Sequence, residues 1–181
     1  MKKYELTTEC KEFLGRKLYR IKALTSFSDV KEGDLGGWIE KEENLSQEDN
    51  AWVHDDARVF GNARVCDNAW VDGNAMICGS ARVCDNARVH GNAMVYGNAM
   101  VYGNAEIKKR THLLEIGFIG SRDDVTTFFR TKNKGIFVEC GCFKGNIDEF
   151  EKQVQEVHGD DKHGRVYALA IAMAREQIEL D

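Results

Sequence analysis

The sequence predicts a mainly-β chain: a short triangular coil of parallel strands, an N-terminal cap and a small C-terminal α+β domain. Three observations predict it. An aliphatic residue recurs every six positions, at Val53, Val59, Val65, Val71, Ile77, Val83, Val89, Val95, Val101 and Ile107. Two residues before each stands an alanine, from Ala51 to Ala105, itself preceded by Asn, Asp or Ser. Beyond Ile107 the period of six stops, and strand-like alternation followed by helical spacing replaces it. The segments implied are 1–49 for the cap and a first irregular coil, 50–107 for the hexad array and 108–181 for the α+β domain.

The N-terminal segment carries Leu18-Tyr19-Arg20-Ile21-Lys22-Ala23-Leu24, whose alternation suits a half-buried strand. A turn at Lys31-Glu32-Gly33-Asp34 leads into Leu35-Gly36-Gly37-Trp38-Ile39. Ile39 and Leu45 already sit six apart, so the coil is expected to start there, with a bulge before Val53. Repeat arrays need a cap, because an open sheet edge pairs with other chains. Glu40, Glu42, Glu43, Glu48 and Asp49 form an acidic cluster, read either as a solvated face or as a contact to a basic partner.

In each hexad the aliphatic residue points inward and the alanine fits where the wall bends. Asn, Asp and Gly at the corners tolerate the left-handed backbone region that most residues avoid. The chain has no proline, so these residues must make its turns. Three hexads form a coil, and at about 4.8 Å per coil the regular part is ~16 Å long. Positions eighteen apart share a wall. One wall carries His54, Asp72 and His90, a ladder without an evident pocket. A second carries Phe60, Met76, Met94 and Tyr96, apolar enough to be an interface, with self-association as its expected use. The third carries Cys66 and Cys84, one rung apart and within disulfide reach, expected as free thiols in a reducing compartment.

In the C-terminal segment Leu114, Ile116 and Phe118 alternate as a strand. Val125 to Thr131 and Ile136 to Cys140 read as a hairpin. Asn146 with Glu149 marks a helix start, followed by a stripe of Ile147, Phe150, Val154 and Val157 and a stop at Gly159. Tyr167, Ile171, Ala174 and Ile178 mark a second helix. The loop between them holds His158, Asp161, Lys162 and His163, residue types that metal-independent RNA cleavage needs for moving protons and holding charge. A solvated helix connection is the bland alternative. Arg110, Arg122, Arg130 and Arg165 are the candidate phosphate contacts. Cys140 and Cys142 are weak metal candidates, since C-x-C is not the usual zinc spacing. No cofactor is expected.

The net charge of -5 excludes a generic nucleic-acid coat and suits a partner with a basic channel. No signal-peptide pattern and no membrane-length apolar run is present, so the expected location is the host cytoplasm.

The hexads resemble the left-handed parallel β-helix of hexapeptide-repeat proteins, and the handedness is implied by that resemblance alone. Enzymes of that kind are mostly acyltransferases with a catalytic His beside an inserted loop. No insertion interrupts residues 53–107, a departure that makes an acyltransferase the third reading. Tyr4-Glu5-Leu6-Thr7, the Gly33 to Ser46 stretch, the Gly-Asn-Ala hexads and Cys140-Gly141-Cys142-Phe143 extend the likeness. Together they resemble hexapeptide-repeat proteins of prophages and mobile elements in Gram-positive bacteria, some of which inhibit type II-A CRISPR effector nucleases. That resemblance implies an anti-CRISPR protein binding the effector nuclease or its guide RNA, with truncation of the guide RNA as an associated activity. The alternative is an oligomeric scaffold protein without catalysis.

Overall fold

The computed structural model describes residues 2–180. It is a β-solenoid with an N-terminal antiparallel sheet region and a C-terminal α+β subdomain. Strands β1 (Tyr4–Phe13) and β2 (Arg16–Ala23) form a hairpin, and β2 pairs antiparallel with β3 (Leu35–Ile39). The hairpin turns at Leu14 and Gly15, both at positive φ (50 and 73), the backbone of a tight primed turn. Ten two-residue strands follow: β4 (Trp52–Val53), β5 (Arg58–Val59), β6 (Arg64–Val65), β7 (Trp70–Val71), β8 (Met76–Ile77), β9 (Arg82–Val83), β10 (Arg88–Val89), β11 (Met94–Val95), β12 (Met100–Val101) and β13 (Glu106–Ile107).

Strands β4 to β10 each pair parallel with the strand three further on, and β3 pairs parallel with β5, giving walls β3-β5-β8-β11, β4-β7-β10-β13 and β6-β9-β12. Every wall is thus one residue of interior aliphatic per rung. All the hexad alanines and aliphatics are buried in one core that runs from Tyr4 to Phe129. Corners are turned by residues at positive φ such as Asp67 (57) and Gly97 (67), where Asp and Gly escape the penalty other side chains meet.

Ile39 pairs with Val59, so the coil does begin at β3. Gly37 is required there, because a Cβ would lie 2.6 Å from Val53 Cγ1 and 2.7 Å from the Ala57 carbonyl. The bulge before Val53 is held from inside. Lys3, 5 % exposed, sends its ammonium to the carbonyls of Glu48, Asp49 and Ala51. Burial lowers its pKa to about 8, and the Asp49 charge opposes this. Tyr4, Ile21, Ala23 and Val30 close the N-terminal opening over Trp52.

The other end is closed by an antiparallel meander: β14 (Leu113–Ile119), β15 (Asp124–Arg130), β16 (Ile136–Cys140) and β17 (Phe143–Asn146). One side of this sheet meets the last rungs, where Phe129 and Phe137 pack edge-on against Tyr102. The other side, with Phe128, Ile136 and Val138, packs on helices α1 (Ile147–His158) and α2 (Lys162–Gln177). Asn146 caps α1 by accepting from the Asp148 and Glu149 amides, with Glu149 answering in a capping box. The stripe differs from expectation at one place: Val157 is 66 % exposed and lies outside the cluster that Ile147, Phe150 and Val154 form with α2 and the sheet. Phe118 is likewise 73 % exposed although its neighbours alternate. No described helix is long and apolar enough to cross a membrane.

Candidate functional site

On the wall β3-β5-β8-β11 the outward residues Trp38, Arg58, Met76 and Met94 stack rung on rung. The hairpin β1-β2 folds over its first rungs. Phe13 meets Phe60 edge-on at 5.8 Å, Arg58 lies over Phe13, and Lys11 sits 3.9 Å above the Trp38 ring. Leu18, Trp38 and Phe60 are buried as a satellite cluster against Met76 and Cys78. Phe60 is therefore not part of an open face, contrary to its expected role. Met76 and Met94 are half-buried, and Tyr96 is 50 % exposed. The open remainder of this wall is Met94 and Tyr96.

The His54 ladder resolves into packing. Trp52 is wholly buried by Phe27 and Tyr4, and His54 stacks on Trp70 at 4.0 Å. Trp70 Nε1 donates to Asp72 at 3.0 Å. On the third wall Cys66 and Cys84 are joined as a disulfide, which corrects the expectation of free thiols: parallel pairing holds their Cα atoms 4.8 Å apart.

In the C-terminal subdomain a cleft of about 250 Å³ opens between the β14–β15 and β16–β17 turns and α1. Arg122, Asp124, Cys140, Cys142, Phe150 and His158 line it. His158 Nδ1 lies 3.4 Å from the Asp161 carboxylate, and the His163 ring is 5.7 Å from that of His158. Asp161 also caps α2, accepting from the Gly164 amide, and this bond holds its carboxyl below the usual range. Asp161 and the two histidines thus meet at the helix junction, with Arg122 lining the same cleft as His158. Lys162 is exposed on the first turn of α2. Arg165 is engaged with the Asp160 carbonyl, and Arg110 lies exposed in a short 3-10 turn.

Arg130 is a correction. Its side chain is 2 % exposed and ion-paired with Glu106 of the last rung, so it cannot meet an external phosphate. Cys140 contacts Thr126 Oγ1 at 3.2 Å and the Tyr167 hydroxyl at 3.4 Å, while Cys142 is exposed on the turn. Among the described residues these two are not in a metal-spaced group of three; Cys66, Asp67 and Cys84 are. Sequence reading missed the apolar outer face of α2, where Leu169 is 70 % and Met173 53 % exposed. Their i,i+4 spacing was the available signal.

Two imidazoles, His112 buried and His54 half-buried, are expected to make stability pH-dependent. Burial lowers the pKa of His112 and His54 from 6.5, with Asp55 and Asp72 opposing it at His54. His112 Nδ1 accepts from the Lys108 amide, which needs the neutral ring. A folded pKa below the unfolded value means the unfolded chain binds more protons, so stability is complete above the 6.5 of the unfolded imidazoles and falls on acidification. The urea midpoint should drop between about pH 7.5 and 5.5, and His112→Gln should narrow that drop.

A protein-family model described as YdcK Beta solenoid repeat matches residues 57–73, 81–95 and 93–106. These segments lie inside the hexad array, cover less than half of the chain, and agree with the β-solenoid repeat fold. No curated protein matches the chain.

Proposed function

We propose that this protein is a non-catalytic binding scaffold that associates with a second copy of itself through the bare end of the β3-β5-β8-β11 wall. One observation carries the reading: the hairpin shields Phe60 to 6 % exposure, whereas its equivalent Tyr96, two rungs along, stays 50 % exposed beside Met94. A rigid wall with an uncovered aromatic and a methionine suits protein contact, since such residues are enriched in interface cores. The hexads and the likeness to hexapeptide-repeat proteins support a left-handed winding. Light scattering tests the assembly. Wild type is expected as a dimer or larger, and Met94→Asp with Tyr96→Glu as a folded monomer; a wild-type monomer contradicts it.

A second reading is an inhibitor that docks on a type II CRISPR effector nuclease or its guide RNA and promotes truncation of the guide. Its support is the resemblance, the net charge of -5 and the acidic corner at Glu42 and Glu43. Part of that corner is already neutralised, because Lys2 pairs with Glu42 and Arg16 with Glu40. His158, His163 and Arg122 are the residues that would handle RNA. A shortened guide on a denaturing gel, lost in His158→Ala, is the expected result. An intact guide with unimpaired target cleavage contradicts this reading.

A further inference from the structure

We infer that Cys66, Asp67 and Cys84 form a redox-gated site for a thiophilic divalent cation of the zinc class. The solenoid itself builds the ligand set. Strands β6 and β9 pair with Arg64 beside Arg82 and Val65 beside Val83. The amides of Cys66 and Cys84 donate to the Val83 and Val101 carbonyls at 3.0 Å each. The two cysteines therefore occupy one position on successive rungs, 4.8 Å apart at Cα, with no chain movement needed to bring them together.

Asp67 follows at the corner, in the left-handed region (φ 57). Its Oδ2 accepts from the Asp85 amide at 3.0 Å and lies 3.6 Å from Cys66 Sγ. The three potential ligand atoms lie within 4.8 Å of one another. The stack of sulfurs ends at the next rung, where Tyr102 lies beneath the Lys144 ammonium at 4.5 Å. Toward the N-terminal rung the same two sulfurs line a groove of about 500 Å³, with Arg64, Arg82 and Glu43 at its walls. A ligand bound there has an open approach.

Donor chemistry selects the cation. Two thiolates and one carboxylate suit a borderline-soft ion and leave one position of a tetrahedron for water or a partner's group. Calcium and magnesium ask for oxygen ligands and are excluded by the sulfurs. Three anionic donors exceed the charge of one divalent ion, and Arg64 and Arg82 supply the compensating positive charge.

The gate is the disulfide. A dithiol reductant delivers two electrons and two protons to the S–S bond, giving two thiols and leaving the reductant as its own disulfide. Metal binding then releases both thiol protons to solvent as two metal–sulfur bonds form. A small-molecule disulfide reverses this by thiol–disulfide exchange: its own S–S bond breaks, it takes up two electrons and two protons and leaves as two thiols, the protein S–S bond re-forms and the ion is released.

The test uses the full chain, reduced with a phosphine, freed of reductant and titrated with Zn²⁺ against a chromophoric chelator. Cd²⁺ gives an ultraviolet thiolate charge-transfer band as a second readout. Reduced wild type is expected to bind one equivalent and oxidised protein none. Cys84→Ser and Cys66→Ser should abolish the band, whereas Cys142→Ser should leave it unchanged. Asp67→Asn, which keeps both sulfurs, should weaken binding by at least the roughly tenfold that a lost supporting contact costs. Circular dichroism checks each fold; should Cys66→Ser not fold, Cys84→Ser and Asp67→Asn decide. Equal binding by oxidised protein, an unchanged band in Cys84→Ser, or loss of the band in Cys142→Ser would overturn the assignment, and unchanged affinity in Asp67→Asn would remove the carboxylate from it.

Discussion

Arg130→Ala is expected to destabilise the fold by about 3–5 kcal/mol, the cost of stripping one partner from a buried ion pair. Arg130 ends β15 and reaches the first residue of the last rung, Glu106, with side chains 2 % and 19 % exposed. Through it the C-terminal sheet is clamped to the solenoid, beside the Lys132 amide bond to the Asn104 carbonyl. Loss of the guanidinium leaves Glu106 with Lys108 at 3.6 Å, which places the cost nearer the lower bound. Replacing both partners, Arg130→Met with Glu106→Leu, should be close to neutral. The pH dependence separates charge from packing. Burial pushes the Glu106 carboxyl up, but the Arg130 hydrogen bond and the charges of Lys108 and Arg130 outweigh it and hold it below its ordinary 4.5. Its contribution is present above that value and is lost as pH falls through the folded pKa. The gap between wild type and Arg130→Ala should therefore shrink in acid, as read by chemical denaturation.

Ile77→Ala is expected to cost about 2–5 kcal/mol. Ile77 is wholly buried at the middle of its wall, between Val59 and Val95. The neighbouring rungs cannot close on the cavity, because the Phe60 amide holds the Ile77 carbonyl and the Cys78 amide holds that of Val95. Met76→Ala, one residue away and facing outward, should cost less. Because the core is continuous from Tyr4 to Phe129, both variants should lower a single transition rather than release one end. Repeat arrays with separable ends would show two.

The solenoid was legible because its period is short and every rung repeats one inward residue. Ile39 and Leu45 even revealed where the coil starts. Helix α1 was legible from Asn146 and Glu149, local chemistry that needs no tertiary context. What escaped depended on the third dimension. Strand β1 has charged residues at most outward positions and no clean alternation, and its bulge between Leu6 and Cys10 lets it bend over the wall. Phe13 and Leu18 of that hairpin remove Phe60 from the surface. Arg130 reads as a surface cation in sequence, yet a sheet covered on both sides buries the whole of Thr126 to Arg130. Strand β17 passed unnoticed because Phe143-Lys144-Gly145-Asn146 merges into the capping signal of α1. The candidate site residues divide in the same way. His158 and Asp161, three apart at a helix junction, were readable as neighbours; the cleft that His158 lines with Arg122 and Cys140 was not.

The most direct measurement places a photo-activated cross-linking side chain at position 96, and separately at position 169 on α2, in the full chain. A scaffold that associates through the open wall gives a covalent dimer from position 96 and little from position 169. Monomer only from position 96, or a dimer from position 169 alone, would contradict it.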